Sequence, residues 1–185
     1  FEEYIEYRKE KPFYEFVQPE KVITYAQDNL MNFAEEKKVP EYLQNKTFVC
    51  FDFETTGLKY ENGDKIVEIG AVKIKSGEVI DRFSELINPG KPLDLSIIEL
   101  TSITDSMLEG KPKEEEVVKR FKDFIEDSVL VAHYAILDIS MLKMAYYKYN
   151  LGTLDNPVID TLELSRTMDR DYSKHSLSAL VKRYN

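Results

Sequence analysis

Asp52 and Glu54 stand one residue apart at the end of the apolar run Phe48-Val49-Cys50-Phe51. A run of β-branched and aromatic residues of this kind predicts a buried strand. Side chains alternate faces along a strand, so residues 52 and 54 share one face while Phe51 and Phe53 anchor the other. Two carboxylates side by side repel unless a cation lies between them. Hard Mg²⁺ is commonly held by one or two carboxylates together with substrate phosphate oxygens. Thr55-Thr56-Gly57 then turns the chain, bringing small side chains and backbone N–H groups next to the acids. These residues suit metal-assisted chemistry on a phosphate ester. Taken alone, an Asp-x-Glu pair is more often a solvated acidic edge, and the whole string is what favours the metal.

A second stretch, Leu130-Val131-Ala132-His133-Tyr134-Ala135-Ile136-Leu137-Asp138, delivers another acid. A strand there would carry the chain to the sheet edge and leave Asp138 in the first turn of the following helix, where the helix dipole favours a carboxylate. On its residues alone, Asp138 reads equally well as a helix cap or as a ligand. Asp160, just before Thr161, reads as a helix cap.

The elements that must position these acids follow from periodicity. Residues 66–75 and 79–88 predict two further strands, with Ser76-Gly77-Glu78 as a hairpin signal between them. Short connections make strands one to three an antiparallel meander. Ser96 is expected to cap a short helix through Leu100, and residues 112–126 form an amphipathic helix. Val117, Phe121, Phe124 and Ile125 share its inner face, with the Lys and Glu residues elsewhere. Strands over 128–134 and 156–160 alternate with helices over 138–149 and 161–168, and a last helix begins near Ser173. The predicted fold is therefore α/β, a mixed sheet flanked by helices. Upstream, apolar residues at helical spacing predict a helix over 19–37. The density of Tyr and Phe in residues 1–46 suggests a packed, aromatic-rich extension rather than a loose leader.

The 185 residues suit one domain with a modest extension, and 43% hydrophobic content is enough for a core. A net charge of −9 argues against a generic basic nucleic-acid binder. A protein that grips phosphates through cations tolerates that charge. One cysteine, Cys50, inside a predicted strand points to a reduced thiol and a cytoplasmic setting. No apolar run is long enough to span a membrane. The chain begins at Phe1 rather than Met, which suggests a piece of a longer protein.

The string Asp52-Phe53-Glu54-Thr55-Thr56-Gly57-Leu58 resembles the first motif of the DEDD (DnaQ-like) 3′–5′ exonucleases, Asp-x-Glu-Thr-Thr-Gly-Leu in proofreading members. Residues 130–138 resemble the second, Val-Ala-His-Asn-x-x-Phe-Asp. The resemblance covers 47–185, and segments 98–104 and 156–164 look like the proofreading domain of PolC-type bacterial DNA polymerases. It implies a ribonuclease H-like fold and hydrolysis at DNA 3′ ends, releasing nucleoside monophosphates. It further implies Asp52, Glu54 and Asp138 as catalytic residues holding two Mg²⁺ or Mn²⁺ ions. Thr55, Thr56, Gly57 and Leu58 would receive the terminal nucleotide, with Tyr134 beside it. The expected partners are DNA 3′ ends and a polymerase or other replication or repair protein, with no membrane.

The sequence departs from that pattern in places. Tyr134 stands where the motif has Asn, and Leu137 where it has Phe. The third motif, His-x-x-x-x-Asp, supplies the general base and a fourth acid. His175 does not open it, because Leu180 holds the Asp position. The resemblance places the missing motif just past Asn185. Two other readings stay open: an exoribonuclease of the same fold, and a degenerate module that binds a nucleic-acid end or a protein without cleaving.

Overall fold

The computed structural model describes Leu43 and residues 45–184. The expected helix over 19–37 lies outside the described residues. Five strands form one sheet in the order β3-β2-β1-β4-β5: β1 (Thr47–Thr55), β2 (Ile66–Lys75), β3 (Glu78–Leu86), β4 (Val129–Ala132) and β5 (Val158–Asp160). The first three pair antiparallel, while β4 lies parallel to β1 and β5 parallel to β4. Among residues 45–184, six helices accompany them: α1 (Leu95–Thr101), α2 (Asp105–Leu108), α3 (Glu114–Ile125), α4 (Ile136–Lys148), α5 (Thr161–Met168) and α6 (Leu177–Tyr184). The meander followed by strand–helix alternation is the predicted α/β architecture.

Aromatic packing sets the phase of β1. Phe121 on α3 is fully buried, with its ring centroid 5.7 Å from Phe51, 5.8 Å from Phe53 and 5.3 Å from Phe83. Val49, Phe51 and Phe53 thus face the core together. A slip of one residue would bury Asp52 and Glu54 in their place, so hydrophobic burial fixes which face carries the acids.

Where β1 ends, the ladder is deliberately irregular. Glu54 pairs with Glu68, yet Thr55 pairs with Ile66, leaving Val67 as the extra residue of a bulge. A bulge bends and twists its strand. Here it lies beside the last acid of the motif. At the other end of β2, Ser76 and Gly77 both have positive φ (53° and 84°), which matches the two-residue hairpin the sequence signals.

Some boundaries differ from expectation. The first short helix starts at Leu95 with Asp94 in the capping position, so Ser96 lies inside it. The last helix begins at Leu177, after the Asp169–Ser176 turn region. The loop over 59–65 is not merely polar. It contains a turn of 3-10 helix over Tyr60–Asn62, and Tyr60 is buried.

The largest departure concerns Glu114. Helix α3 does not keep all its acids outside, because Glu114 is 2% exposed. Its carboxylate accepts from Ile66 N (3.0 Å), the Tyr60 hydroxyl (3.0 Å) and the Tyr149 hydroxyl (2.6 Å), and Lys148 Nζ lies 3.5 Å away. A buried charge is tolerated when paired and fully hydrogen-bonded. The helical periodicity cannot show this, since the partners come from three distant segments. Burial first, and then the Glu114 charge, pushes the Tyr60 phenol above its ordinary pKa. Glu114→Ala would strand these donors without an acceptor and should cost about 3 kcal/mol in urea unfolding, against about 1 kcal/mol for Glu114→Gln. Equal, small losses would show that the network adds nothing.

Candidate active site

Strand alternation places Asp52, exposed, and Glu54, half-buried, on the face of β1 away from Phe121. Asp138 approaches from α4. It sits in that helix's first turn and is 8% exposed. The N-cap position of α4 belongs to Ala135. Asp138 is therefore no cap, which settles one half of the ambiguity in its sequence position. Instead its Oδ1 accepts from Phe53 N at 3.1 Å, across 85 residues of chain. The parallel ladder between β1 and β4 covers only Phe48–Cys50. Past it, Asp138 supplies the acceptor for Phe53 on the edge of β1 between Asp52 and Glu54.

That position is electrostatically costly. Burial pushes the Asp138 carboxyl up to about 8, the Asp52 charge adds to the rise and the Glu54 charge adds a little more, while the Phe53 N–H opposes them. Three hard oxygen-bearing acids in mutual electrostatic reach form a donor set suited to Mg²⁺ or Mn²⁺. Among the described residues, no group of three His, Cys, Asp or Glu side chains yet converges to hold a metal ion.

The turn after β1 is held from below by Asp64. Its Oδ1 accepts from Thr56 Oγ1 (3.2 Å) and its Oδ2 from Lys59 N (3.0 Å). Thr56 is buried, and its Oγ1 also accepts from Lys65 N at 3.0 Å. Its hydroxyl is thus committed to the turn. Gly57 has a steric reason to be glycine, since a Cβ there would meet the Asp64 carboxylate at 2.3 Å. Thr55 is half-buried, whereas Leu58 is 70% exposed and projects from the turn.

Opposite, the crossing from β4 to α4 is held by Asp160. Its Oδ1 accepts from Tyr134 N (3.0 Å) and Leu162 N (2.9 Å), and its Oδ2 from Ala135 N (2.9 Å). Asp160 does cap α5, as its place before Thr161 indicates. It also binds the second motif, which the sequence does not reveal. Tyr134 has φ 61° and a half-exposed side chain. Asn enters that left-handed region several-fold more readily than a bulky residue, a backbone reason for Asn at this place in the motif.

Neither histidine joins the acids. His133 Nδ1 lies 3.0 Å from Thr161 Oγ1, and burial lowers its pKa. His175 Nδ1 lies 3.0 Å from Ser165 Oγ.

A sheet of this order, with acids ending its central strand and opening the helix after the fourth, defines a ribonuclease H-like nuclease fold. Residues 49–185 match the family model described as Exonuclease, RNase_T. The chain belongs to this exonuclease family, in its DnaQ-like branch. The DNA polymerase III PolC-type of Staphylococcus haemolyticus is 46% identical over 142 residues, covering 77% of this chain. That of Halalkalibacterium halodurans is 48% identical over 143 residues, again 77% of this chain. The chain spans only 10% of the length of either. Among solved structures, apo exonuclease I superposes with TM-score 0.60 at 19% identity, over 67% of this chain and 31% of that one. Escherichia coli exonuclease I with a dA16 oligonucleotide gives 0.60 at 18%, over 66% and 29%. These likenesses confirm the fold.

The raised Asp138 pKa has a stability consequence without metal. Between about pH 4 and 8 the unfolded chain gives up a proton that folded Asp138 keeps, so stability falls as pH rises through this window. With chelator present, Asp138→Asn should exceed the wild type at pH 8 by on the order of 5 kcal/mol in urea unfolding, and the gap should close toward pH 4. A gap independent of pH would contradict the burial argument.

Proposed function

We propose that residues 47–185 form a metal-dependent 3′–5′ exonuclease domain that acts on DNA ends and releases nucleoside monophosphates, with residues 1–46 as an extension to it. The observation carrying this reading is the seating of Asp138 on the Phe53 N–H, the backbone group that lies between Asp52 and Glu54 along β1. Two Mg²⁺ or Mn²⁺ ions, held by Asp52, Glu54 and Asp138, would supply an activated water and a counter-charge for the leaving oxygen. Asp138 gives up its carboxyl proton as an ion binds, because a ligand must be deprotonated. Thr55, Gly57 and Leu58 receive the terminal nucleotide. Asp64 braces the turn, and exposed Leu58 offers an apolar contact to the base.

The relatives named as DNA polymerases support a polymerase as partner, and the dA16 complex of exonuclease I supports single-stranded DNA as substrate. Among the described residues, no helix is long and apolar enough to cross a membrane. Cys50 is a free thiol whose pKa burial raises, in keeping with a cytoplasmic, reducing setting. Within the 185 residues the third motif has no counterpart, and a positioned base typically contributes about a hundred- to ten-thousandfold in rate. These residues alone should therefore turn over very slowly.

The test pairs calorimetry with an assay. Mn²⁺ should bind the wild type, and Asp52→Ala should lose most of the heat. In a longer chain that supplies His-x-x-x-x-Asp, a 3′-tailed oligodeoxynucleotide should shorten from its 3′ end with Mg²⁺ or Mn²⁺. Metal binding without cleavage in the longer chain would instead support a non-cleaving module, and faster loss of an RNA oligonucleotide would support a ribonuclease.

Tyr134 offers a separate check. Stacking of an aromatic on a base is worth about 1–3 kcal/mol. In the longer chain, Tyr134→Asn should raise KM for the oligonucleotide about tenfold and leave kcat nearly unchanged. It should also stabilise the fold by about 1 kcal/mol, since Asn relaxes the left-handed backbone. A lower KM would mean that the phenol crowds the terminal nucleotide.

A further inference from the structure

Asp160 is remote in sequence from the three acids, yet it holds the segment on which Asp138 depends. Its two carboxylate oxygens accept from Tyr134 N and Ala135 N, the last residues before α4, and from Leu162 N at the start of α5. Thr161 completes the grip from the same corner. Its Oγ1 donates to Ala132 O at 3.3 Å and lies 3.0 Å from His133 Nδ1. Every residue from Ala132 to Ala135 is therefore bonded to Asp160 or Thr161. The parallel register continues this contact, since Ala132 lies opposite Asp160.

Only two residues separate Ala135 from Asp138. At the helical rise of about 1.5 Å per residue, Asp138 lies roughly 4.5 Å along the axis from that pinned end. A carboxylate is the side chain suited to this corner. Its two oxygens accept from N–H groups on both sides of the crossing, whereas an amide has a single acceptor oxygen.

We propose that Asp160 is a positioning residue for the acid site. It fixes the Ala132–Ala135 crossing and so the seat of Asp138 on Phe53 N–H, and through that seat it sets the affinity for a divalent cation. The metal half of this inference rests on the reading of Asp52, Glu54 and Asp138 as metal-holding residues; the positional half does not. Asp160 itself touches neither ion nor substrate.

Asp160→Asn tests both halves in the whole chain. Amide exchange by NMR, in chelator, reads the Phe53 N–H directly, with the amides of β2 as the measure of global opening. The expected result is about tenfold faster exchange at Phe53 relative to β2, the order of effect of unpairing one buried N–H. Calorimetry with Mn²⁺ should show affinity about tenfold weaker than wild type. Thr161→Val keeps the shape of its side chain while removing the second grip. It should move Phe53 exchange in the same direction by a smaller factor, which keeps the test informative should Asp160→Asn fold poorly.

Unchanged Phe53 exchange in both variants would overturn the proposal, because a cap that merely stabilises α5 would loosen Leu162 alone. Faster Phe53 exchange with unaltered Mn²⁺ affinity would overturn its metal half, provided that Asp138→Ala abolishes binding. Should Asp138→Ala bind Mn²⁺ like the wild type, the metal reading of the site fails, and the positional role of Asp160 is still decided by Phe53.

Discussion

The hydrogen bond from Phe53 N to Asp138 Oδ1 joins the two halves of this protein's acid site. A strand at the middle of a sheet must satisfy its backbone on both edges. On one edge β1 is paired with β2 along its full length. On the other, β4 is too short, and its ladder with β1 stops at Cys50. The carboxylate that replaces the missing backbone partner sits on the N–H of Phe53, the residue between Asp52 and Glu54. One interaction completes the strand and buries Asp138 within electrostatic reach of Asp52 and Glu54; burial and those two charges raise its pKa against the pull of the Phe53 N–H.

Two other buried or braced carboxylates support that arrangement from outside it. Asp64 underpins the turn after β1, and Asp160 underpins the crossing after β4. Behind them, Glu114 ties α3 to Tyr60, Ile66 and α4's end at Tyr149. Each accepts backbone N–H groups, which hold a loop more firmly than a surface ion pair does. An acidic chain of net charge −9 thus spends several of its carboxylates on internal order rather than on its surface.

Much of this was legible from residue order alone. Alternation in Phe51-Asp52-Phe53-Glu54 is a local property, and burial of the two phenylalanines against Phe121 follows from it. The hairpin at Ser76-Gly77 and the cap at Asp160 are likewise local. The contacts that lock the site are not. Asp138 reaches Phe53 over 85 residues, and Glu114 reaches Ile66 over 48. Helical periodicity marks Glu114 as a surface acid, because it cannot register a polar partner waiting inside. The reason for Tyr134's awkward position, a positive φ fixed by Asp160, is also tertiary.

If Asp52, Glu54 and Asp138 act as one cation site, metal binding must displace the proton that Asp138 holds. Mn²⁺ titration calorimetry in buffers of different ionisation enthalpy measures that exchange. With Asp138 near 8, binding at pH 7 should release close to one proton per chain, falling toward none above about pH 9. The Asp138→Asn variant should release none at either pH. Binding at pH 7 without proton release in the wild type, or with the same release in the variant, would mean that Asp138 is not part of the cation site.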